Sequence, residues 1–200
     1  MESIAVIDFE TTGVSPTQAR ATEIGVANIA DGRIVDRYQS LMNSGAWVPP
    51  FIEQLTGISN AMLRKAPPSD QVMNEVADFI GERPLLAHNA SFDQKFWDAE
   101  LARVRRRRLQ PFACSLLLSR RLLPEAPSHK LSNLNAWAGL PDTGRAHRAL
   151  ADAEMAANLT LHLFSLLRER HGRQQADHAF LCQLQNLSAA KVRALLASAC

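Results

Sequence analysis

Apolar residues follow one another with few interruptions in the first segment of the chain, IAVIDFE at residues 4–10. Such a run, apolar on both faces, is typical of a central strand covered on both sides of a sheet. Two further strand-like runs lie within residues 21–43, on either side of Asp31-Gly32, a dipeptide typical of hairpin turns. The chain is therefore predicted to begin with antiparallel strands.

Helical spacing of apolar residues replaces this pattern after residue 47. One helix is predicted at 48–59 and a second at 69–81, opened by Ser69 or Asp70 as N-cap and ended by Gly81. A short strand, PLLAHN, comes next, and then a helix in which Ser91 and Gln94 have the spacing of a capping box. The remaining predicted elements are a strand and helix within 110–124, a short helix at 131–140 and a long one at 147–170.

Strands come first in this order, and helices then alternate with strands. We therefore expect an α/β fold in which helices cover a mixed sheet. Residues 1–171 show no internal linker and are predicted to form one domain. Residues 172–200 are predicted to add a helical extension of one or two helices, whose role the sequence leaves open.

Composition supports a single folded domain. The chain has 200 residues, of which 46% are hydrophobic and 21% charged. It lacks both a membrane-spanning apolar run and the pattern of a signal peptide, so we expect it to act in the cytoplasm.

Its three cysteines, Cys114, Cys182 and Cys200, include no CxxC pair. They indicate free thiols rather than a disulfide framework or a thiolate zinc site.

Charge is distributed unevenly along the chain. Residues 1–100 carry seven basic and 14 acidic side chains, and residues 101–200 carry 15 basic and six acidic ones. A basic half favours a nucleic-acid or other acidic partner, although proteins that bind no anion also show such asymmetry. The run RVRRRR at 103–108 has two interpretations, a solvated helix end or a contact with substrate phosphates.

Two acidic residues interrupt the first strand. Asp8 and Glu10 are two residues apart, so a strand presents both carboxylates on one face. Close carboxylates repel each other unless a proton or a cation lies between them. A hard divalent cation such as Mg²⁺ or Mn²⁺ would stabilise the pair, whereas the alternative is that both residues lie in the loop after the strand.

Two later acids and a histidine extend this pattern. Asp93 is predicted in the first turn of a helix, where the helix dipole tolerates negative charge. Asp152 lies among alanines in the long helix, and His147 precedes it by five residues. That spacing would rotate the two side chains apart on one helix, so His147 is predicted in the loop or first turn before it.

In this order, the segments DFETTG, HNASFD and HRALADA resemble the three exonuclease motifs of the DnaQ-like family, in its DEDDh branch. The resemblance covers roughly residues 3–170. In addition, FIEQLTGIS is similar to the family segment that leans over the active site between the first two motifs. The resemblance implies a ribonuclease-H-like fold and 3′→5′ exonuclease activity on DNA or RNA that releases nucleoside 5′-monophosphates.

Specific roles follow from the same resemblance. It implies that two divalent ions, Mg²⁺ or Mn²⁺, are bound by four carboxylates, those of Asp8, Glu10, Asp93 and Asp152. His147 would be the general base, since an imidazole can accept a proton from water near neutral pH. The residues predicted to contact the 3′-terminal nucleotide are Thr11, Thr12, Gly13, Leu55 and Ile58.

Several alternatives stay open at this point. The enzyme could trim RNA 3′ ends or degrade short oligonucleotides, and a non-catalytic nucleic-acid-binding module is the rival outside catalysis. Nucleic acid with a free 3′ end is the expected partner, with DNA favoured over RNA, and residues 172–200 could dock a polymerase or another protein. The sequence does not distinguish a proofreading subunit from a free-standing nuclease, nor does it give the oligomeric state.

Overall fold

The computed structural model describes residues 3–144 and 147–197. Its five strands are β1 (Ile4–Thr11), β2 (Ala21–Ala30), β3 (Arg33–Leu41), β4 (Leu85–Ala87) and β5 (Phe112–Cys114). The helices that precede α5 are α1 (Pro50–Thr56), α2 (Asn60–Leu63), α3 (Ser69–Ile80) and α4 (Ser91–Arg103). The later helices are α5 (Ser115–Leu122), α6 (Leu131–Trp137), α7 (Ala149–His171), α8 (His178–Asn186) and α9 (Ala189–Ala197).

The strands form one mixed sheet in the order β3-β2-β1-β4-β5. β1 pairs antiparallel with β2 and parallel with β4, while β2 pairs antiparallel with β3 and β4 parallel with β5. The predicted hairpin is present, and Asp31 and Gly32 both have the positive φ that a type I′ turn requires. The mixed α/β sheet predicted from the sequence is therefore confirmed.

Both faces of the central strand are buried, which explains its continuous apolar run. Ile4 and Val6 belong to the core beneath α7. Ala5, Ile7 and Phe9 belong to the core beneath α3 and α4. Because alternate residues of a strand share a face, Asp8 and Glu10 continue the α7 side of β1 beyond the apolar residues.

The C-terminal helices pack against this sheet. Leu181, Leu184 and Val192 join the core beneath α7, and the buried His178 ring donates from Nε2 to the Leu85 carbonyl at 2.8 Å. The Gln185 side chain accepts from the N–H of Cys114 and donates to the carbonyl of Phe112. Since β5 is an edge strand, α8 satisfies part of an otherwise open backbone edge.

Two predicted helix starts are wrong in detail. Ser91 is the first residue of α4, and the N-cap is Ala90, so no capping box forms. The turn after β4 is tight, with Asn89 at φ 65° and its carbonyl bonded to the N–H of Phe92, which draws Ser91 into the helix. Similarly, α3 has Pro68 as its N-cap with no side-chain cap, although it ends at Gly81 as predicted.

Two other expectations can be compared with the structure. Within residues 3–144 and 147–197, no helix is long and apolar enough to cross a membrane. Cys114 is a free, buried cysteine, and the Cys182 sulfur lies 3.6 Å from the His178 ring. The predicted free thiol at Cys200 lies outside the described residues.

Candidate functional site

The two carboxylates of β1 lie where the strand leaves the apolar core. Asp8 is paired with Gly25 of β2, and Glu10 with Glu23. Asp8 and Glu10 are both half-buried. As predicted, they belong to the strand rather than to the loop after it.

Gly25 allows the long helix to approach this point. A Cβ placed on Gly25 would lie 2.3 Å from the carbonyl carbon of Ala149 and from the backbone nitrogen of Leu150, both in the first turn of α7. No other residue type fits there without moving the helix. The absent side chain therefore brings the start of α7 directly against the strand position opposite Asp8.

His147 and Asp152 enter the site through this close packing. The helix begins at Ala149, so His147 precedes it, as the spacing predicted. His147 has φ 61°, a strained conformation for a residue other than glycine, and its N–H donates to Asp152 Oδ2 at 3.1 Å. One ligand atom from each of Glu10, His147 and Asp152 lies within 4.8 Å of the other two.

Asp93 reaches the same region from the opposite side of the sheet. It lies in the first turn of α4 and is 2% exposed. Its Oδ1 accepts from the N–H of Phe9 at 3.1 Å, which places the carboxylate at the backbone between Asp8 and Glu10. The structure thus brings together five residues from three separate sequence motifs.

Burial and mutual repulsion make the charged state of this cluster costly. Burial raises the pKa of Asp8 well above its usual value, and the carboxylates of Asp93 and Asp152 raise it further. Burial raises the pKa of Glu10 to about 8, reinforced by Asp152 and Glu23. Burial likewise raises the pKa of Asp93 to about 8, despite the hydrogen bond from Phe9.

This donor set fits divalent cations. Within the described part of the chain, no lysine or arginine forms an ion pair with any of the four carboxylates, Asp8, Glu10, Asp93 and Asp152. The donors are carboxylate oxygens with one imidazole nearby, the ligands that Mg²⁺ and Mn²⁺ accept. A bound cation would offset the repulsion that the raised pKa values report.

One buried acid beside the cluster, Glu23, was not predicted from the sequence. Glu23 is fully buried, and its carboxylate accepts from the Arg148 guanidinium at 2.7 and 3.1 Å. It also accepts from the N–H of Ala149 at 3.0 Å and from the Gln39 amide. A glutamate inside an otherwise apolar strand was the available signal. Glu23 binds Arg148 and the next residue, Ala149, and so holds the start of α7 in place.

The predicted nucleotide contacts around the first motif lie at the end of β1 and in the tight loop that follows it. The Thr11 hydroxyl donates to the Gly13 carbonyl at 2.6 Å. The Thr12 hydroxyl accepts from the N–H of Arg20 at 3.0 Å. A Cβ on Gly13 would lie 3.3 Å from Ala19. These bonds shape the loop, and contact of Thr11, Thr12 and Gly13 with substrate stays a prediction.

The other two predicted contacts differ in exposure. Leu55, on α1, is 48% exposed and is free to meet a ligand. Ile58 is fully buried with Val48 and Leu63 in a small separate core. In this conformation Ile58 supports the segment from beneath, and its direct contact with a nucleotide stays a prediction.

The arginine run follows α4, which ends at Arg103. Arg106 forms an ion pair with Asp78 at 2.7 Å. Arg108 makes a two-pronged ion pair with Asp98 and lies over the Phe112 ring. These contacts indicate that Arg106 and Arg108 hold the loop after α4 in place. They do not favour a continuous row of arginines that binds phosphates.

Comparison with known proteins gives consistent matches. The RNase_T family, described as Exonuclease, matches residues 5–160. The DNA polymerase III subunit epsilon of Aquifex aeolicus is 28% identical over 171 residues, spanning 85% of this chain and 84% of that protein. The 3′-5′ exonuclease DinG of Bacillus subtilis is 34% identical over 192 residues, which are 94% of this chain but 20% of DinG.

A solved structure supports the fold independently. Exonuclease X in complex with 5′ overhanging duplex DNA superposes with a TM-score of 0.73 at 23% identity, covering 92% of this chain and 99% of the other. The architecture is thus a ribonuclease-H-like one, as the sequence motifs implied.

Proposed function

This chain belongs to the RNase_T exonuclease family, and we propose that it is a DEDDh-type, metal-dependent exonuclease that removes nucleoside 5′-monophosphates from the 3′ end of DNA. The observation that supports this most directly is the convergence of Asp8, Glu10, Asp93 and Asp152, with His147 beside them. Close carboxylates that no lysine or arginine pairs with among the described residues are an arrangement that divalent cations stabilise.

The four carboxylates would hold two divalent ions, Mg²⁺ or Mn²⁺. When bound, the ions supply the positive charge that activates water and stabilises the departing 3′ oxygen. The protein contributes a rigid oxygen cage: Asp93 is held by the Phe9 backbone, Asp152 by the His147 backbone, and the start of α7 by Glu23. This fixed geometry lowers the reorganisation needed during the reaction.

His147 would act as the general base. Its side chain is exposed and lies beside Glu10 and Asp152, so it can reach a water molecule at the edge of the cluster. The bond from its N–H to Asp152 holds the His147 backbone beside the cluster. A neutral imidazole would accept the proton that the attacking water loses.

The proposed substrate and protein partner are inferred from the similar proteins. Exonuclease X was solved with 5′ overhanging duplex DNA and the epsilon subunit is named as part of DNA polymerase III, which favours DNA and a replication or repair role here. A polymerase contact through residues 172–200 is part of the proposal, and action in the cytoplasm stays a prediction. Trimming of RNA ends is the second candidate, since the sequence and the site geometry do not exclude a 2′-hydroxyl.

The test uses end-labelled strands. Purified protein is mixed with Mn²⁺ or Mg²⁺ and single-stranded DNA labelled at its 5′ end, and the products are separated by length. We expect a ladder of progressively shorter 5′-labelled products, with nucleoside 5′-monophosphates released, and no reaction in EDTA.

Matched substrates and a variant complete this test. An RNA strand and a dinucleotide distinguish the RNA-trimming and short-oligonucleotide alternatives, and Asp8→Asn should be inactive. Glu100→Gln is the control for removing a buried acid outside the cluster. Activity in EDTA, or internal cleavage in place of a ladder, would refute the proposal.

A further inference from the structure

A cleft of about 960 Å³ adjoins the proposed metal site and includes His147 and Asp152 in its lining. Its other wall is formed by the end of α5 and the segment that leads into α6, with Arg120 and Lys130 among the lining residues. The volume lies at the upper end of the ~300–1,000 Å³ typical of ligand sites. One continuous space thus connects the proposed catalytic residues with two cationic side chains.

Arg120 and Lys130 are exposed cations whose charges no ion pair among the described residues offsets. Many arginines in the basic half of the chain have acidic or carbonyl partners, among them Arg103, Arg106, Arg108, Arg121, Arg148, Arg170 and Arg173. The lining of the cleft contains one acid, Asp152, which is itself a proposed metal ligand.

A hydrogen-bond network holds these two cations on the same wall. The Ser119 hydroxyl lies 3.1 Å from His129 Nδ1, so the residues that directly precede Arg120 and Lys130 are bonded to each other. The network brings two positive charges to one surface without an acid to separate them. Two exposed cations on one surface attract an anionic ligand.

A second histidine anchors the same wall to the sheet. His88 lies at the end of β4, and its Nε2 donates to the His129 carbonyl at 3.0 Å. Burial lowers the pKa of His88 to about 4, so the ring is neutral and its Nδ1 can accept from the Ser115 hydroxyl at 3.0 Å. The wall is therefore preorganised rather than dependent on a ligand to form.

We infer that this cleft binds the part of the strand on the 5′ side of the scissile phosphate, and that Arg120 and Lys130 contact its phosphates. The inference rests on the proposed function and specifies its substrate. A 3′ exonuclease leaves a single nucleotide beyond the scissile bond, so a site with two phosphate-binding cations must hold the 5′ side. With two contacted phosphates upstream of the scissile one, the preferred substrate is accordingly a strand of at least four nucleotides rather than a mononucleotide ester.

The test compares two double variants that lose the same charge. Arg120→Gln/Lys130→Gln removes the cations of the cleft, and Arg105→Gln/Arg107→Gln removes two exposed arginines outside it that also lack ion pairs among the described residues. For a ten-nucleotide strand we expect the cleft variant to raise KM about 10-fold or more. The slope of log KM against log salt concentration should become shallower by about 1.4, because each of the two lost single-strand phosphate contacts contributes ~0.7. The control variant should change KM by less than about twofold.

A substrate without upstream phosphates isolates the effect. Hydrolysis of thymidine 5′-monophosphate p-nitrophenyl ester should be unchanged in the cleft variant, whereas a collapsed site would reduce it. Equal effects of the two double variants would overturn the inference in favour of general electrostatic attraction. Loss of ester hydrolysis in the cleft variant alone would overturn it in favour of a structural role.

A binding measurement separates this inference from the proposed activity. Fluorescence anisotropy of a labelled ten-nucleotide strand is measured with Asp8→Asn, alone and combined with each double variant. We expect the dissociation constant to rise about 10-fold with the cleft variant and to change little with the control. An unchanged dissociation constant would overturn the inference, whether or not the wild-type protein hydrolyses any substrate.

Discussion

Buried carboxylates occur in two kinds of surroundings in this molecule. Glu23 and Glu100 are almost fully buried, and each accepts hydrogen bonds from an arginine and from a backbone N–H. Asp93 is almost fully buried and Asp8 half-buried, and the charged groups that raise their pKa values are other carboxylates. The same functional group is therefore neutralised internally in one region and left uncompensated in the other.

This difference distinguishes structural acids from functional ones. An arginine beside Glu23 or Glu100 offsets the cost of burial within the protein itself, at every pH where the acid is charged. The cluster at the end of β1 has no such partner among the described residues, so its folded state favours protonation or a bound cation. A set of substitutions can test this contrast.

The largest effect is expected at Asp8. Asp8→Asn removes one member of the uncompensated cluster, so hydrolysis of a labelled strand should be nearly abolished. The metal-free variant should nevertheless melt at a higher temperature than the wild type, because one repelling charge is gone. Thermal unfolding in EDTA and with Mg²⁺ measures this, and Mg²⁺ should raise the melting temperature of the wild type far more than that of the variant.

A smaller loss of activity is expected at His147, which lies beside the cluster without belonging to its carboxylates. His147→Ala should lower kcat by roughly 10²–10⁴-fold while the Mg²⁺-induced rise in melting temperature is kept. Near-normal turnover of the variant at saturating Mg²⁺ would show that His147 is not the general base.

Glu23 and Glu100, whose charges are offset by arginines, should contribute to the free energy of unfolding but not to Mg²⁺ binding. Glu23→Gln weakens charge-assisted bonds to Arg148 and to the N–H of Ala149, so unfolding should become easier by about 2–3 kcal/mol. Chemical denaturation gives this value. Glu100→Gln should also destabilise the protein but leave Mg²⁺ binding unaltered, and a lost Mg²⁺ response in that variant would contradict the separation of the two groups.

The smallest effect concerns the pH dependence of the metal-free protein. The pKa values of Glu10 and Asp93 are raised to about 8, above the values near 4 expected in the unfolded chain. Between these values Glu10 and Asp93 bind more protons in the folded state, so the stability that these two groups contribute is greatest below about pH 4 and declines as pH rises toward 8. Melting temperatures in EDTA should follow this trend, less steeply in Asp8→Asn, and Mg²⁺ should reverse it. A rise with pH in EDTA would contradict the raised pKa values.

Local sequence was sufficient for most of the elements, and it singled out the five residues that the fold brings together at the end of β1, whose catalytic and metal-binding roles stay predictions. The uninterrupted apolar run of β1, the Asp31-Gly32 turn and the helical spacing of α7 each depend on neighbouring residues, so the pattern alone predicted them. The motifs that contain Asp8, Glu10, Asp93, Asp152 and His147 indicated the exonuclease family in the same way. The capping box at Ser91 failed because the tight turn from β4 determined where α4 begins.

Tertiary structure alone decided which charges are compensated and how closely the elements meet. Arg148 and Glu23 are 125 residues apart, and Phe9 and Asp93 are 84 apart, so no local pattern encodes either contact. The approach of the first turn of α7 to Gly25 likewise depends on packing between distant segments. The bond between Ser119 and His129 spans only ten residues, but it joins the end of α5 to the loop before α6 and depends on how that loop folds. Hydrophobic periodicity is a property of neighbouring residues, whereas charge compensation and cleft shape depend on distances in space, which only the folded chain defines.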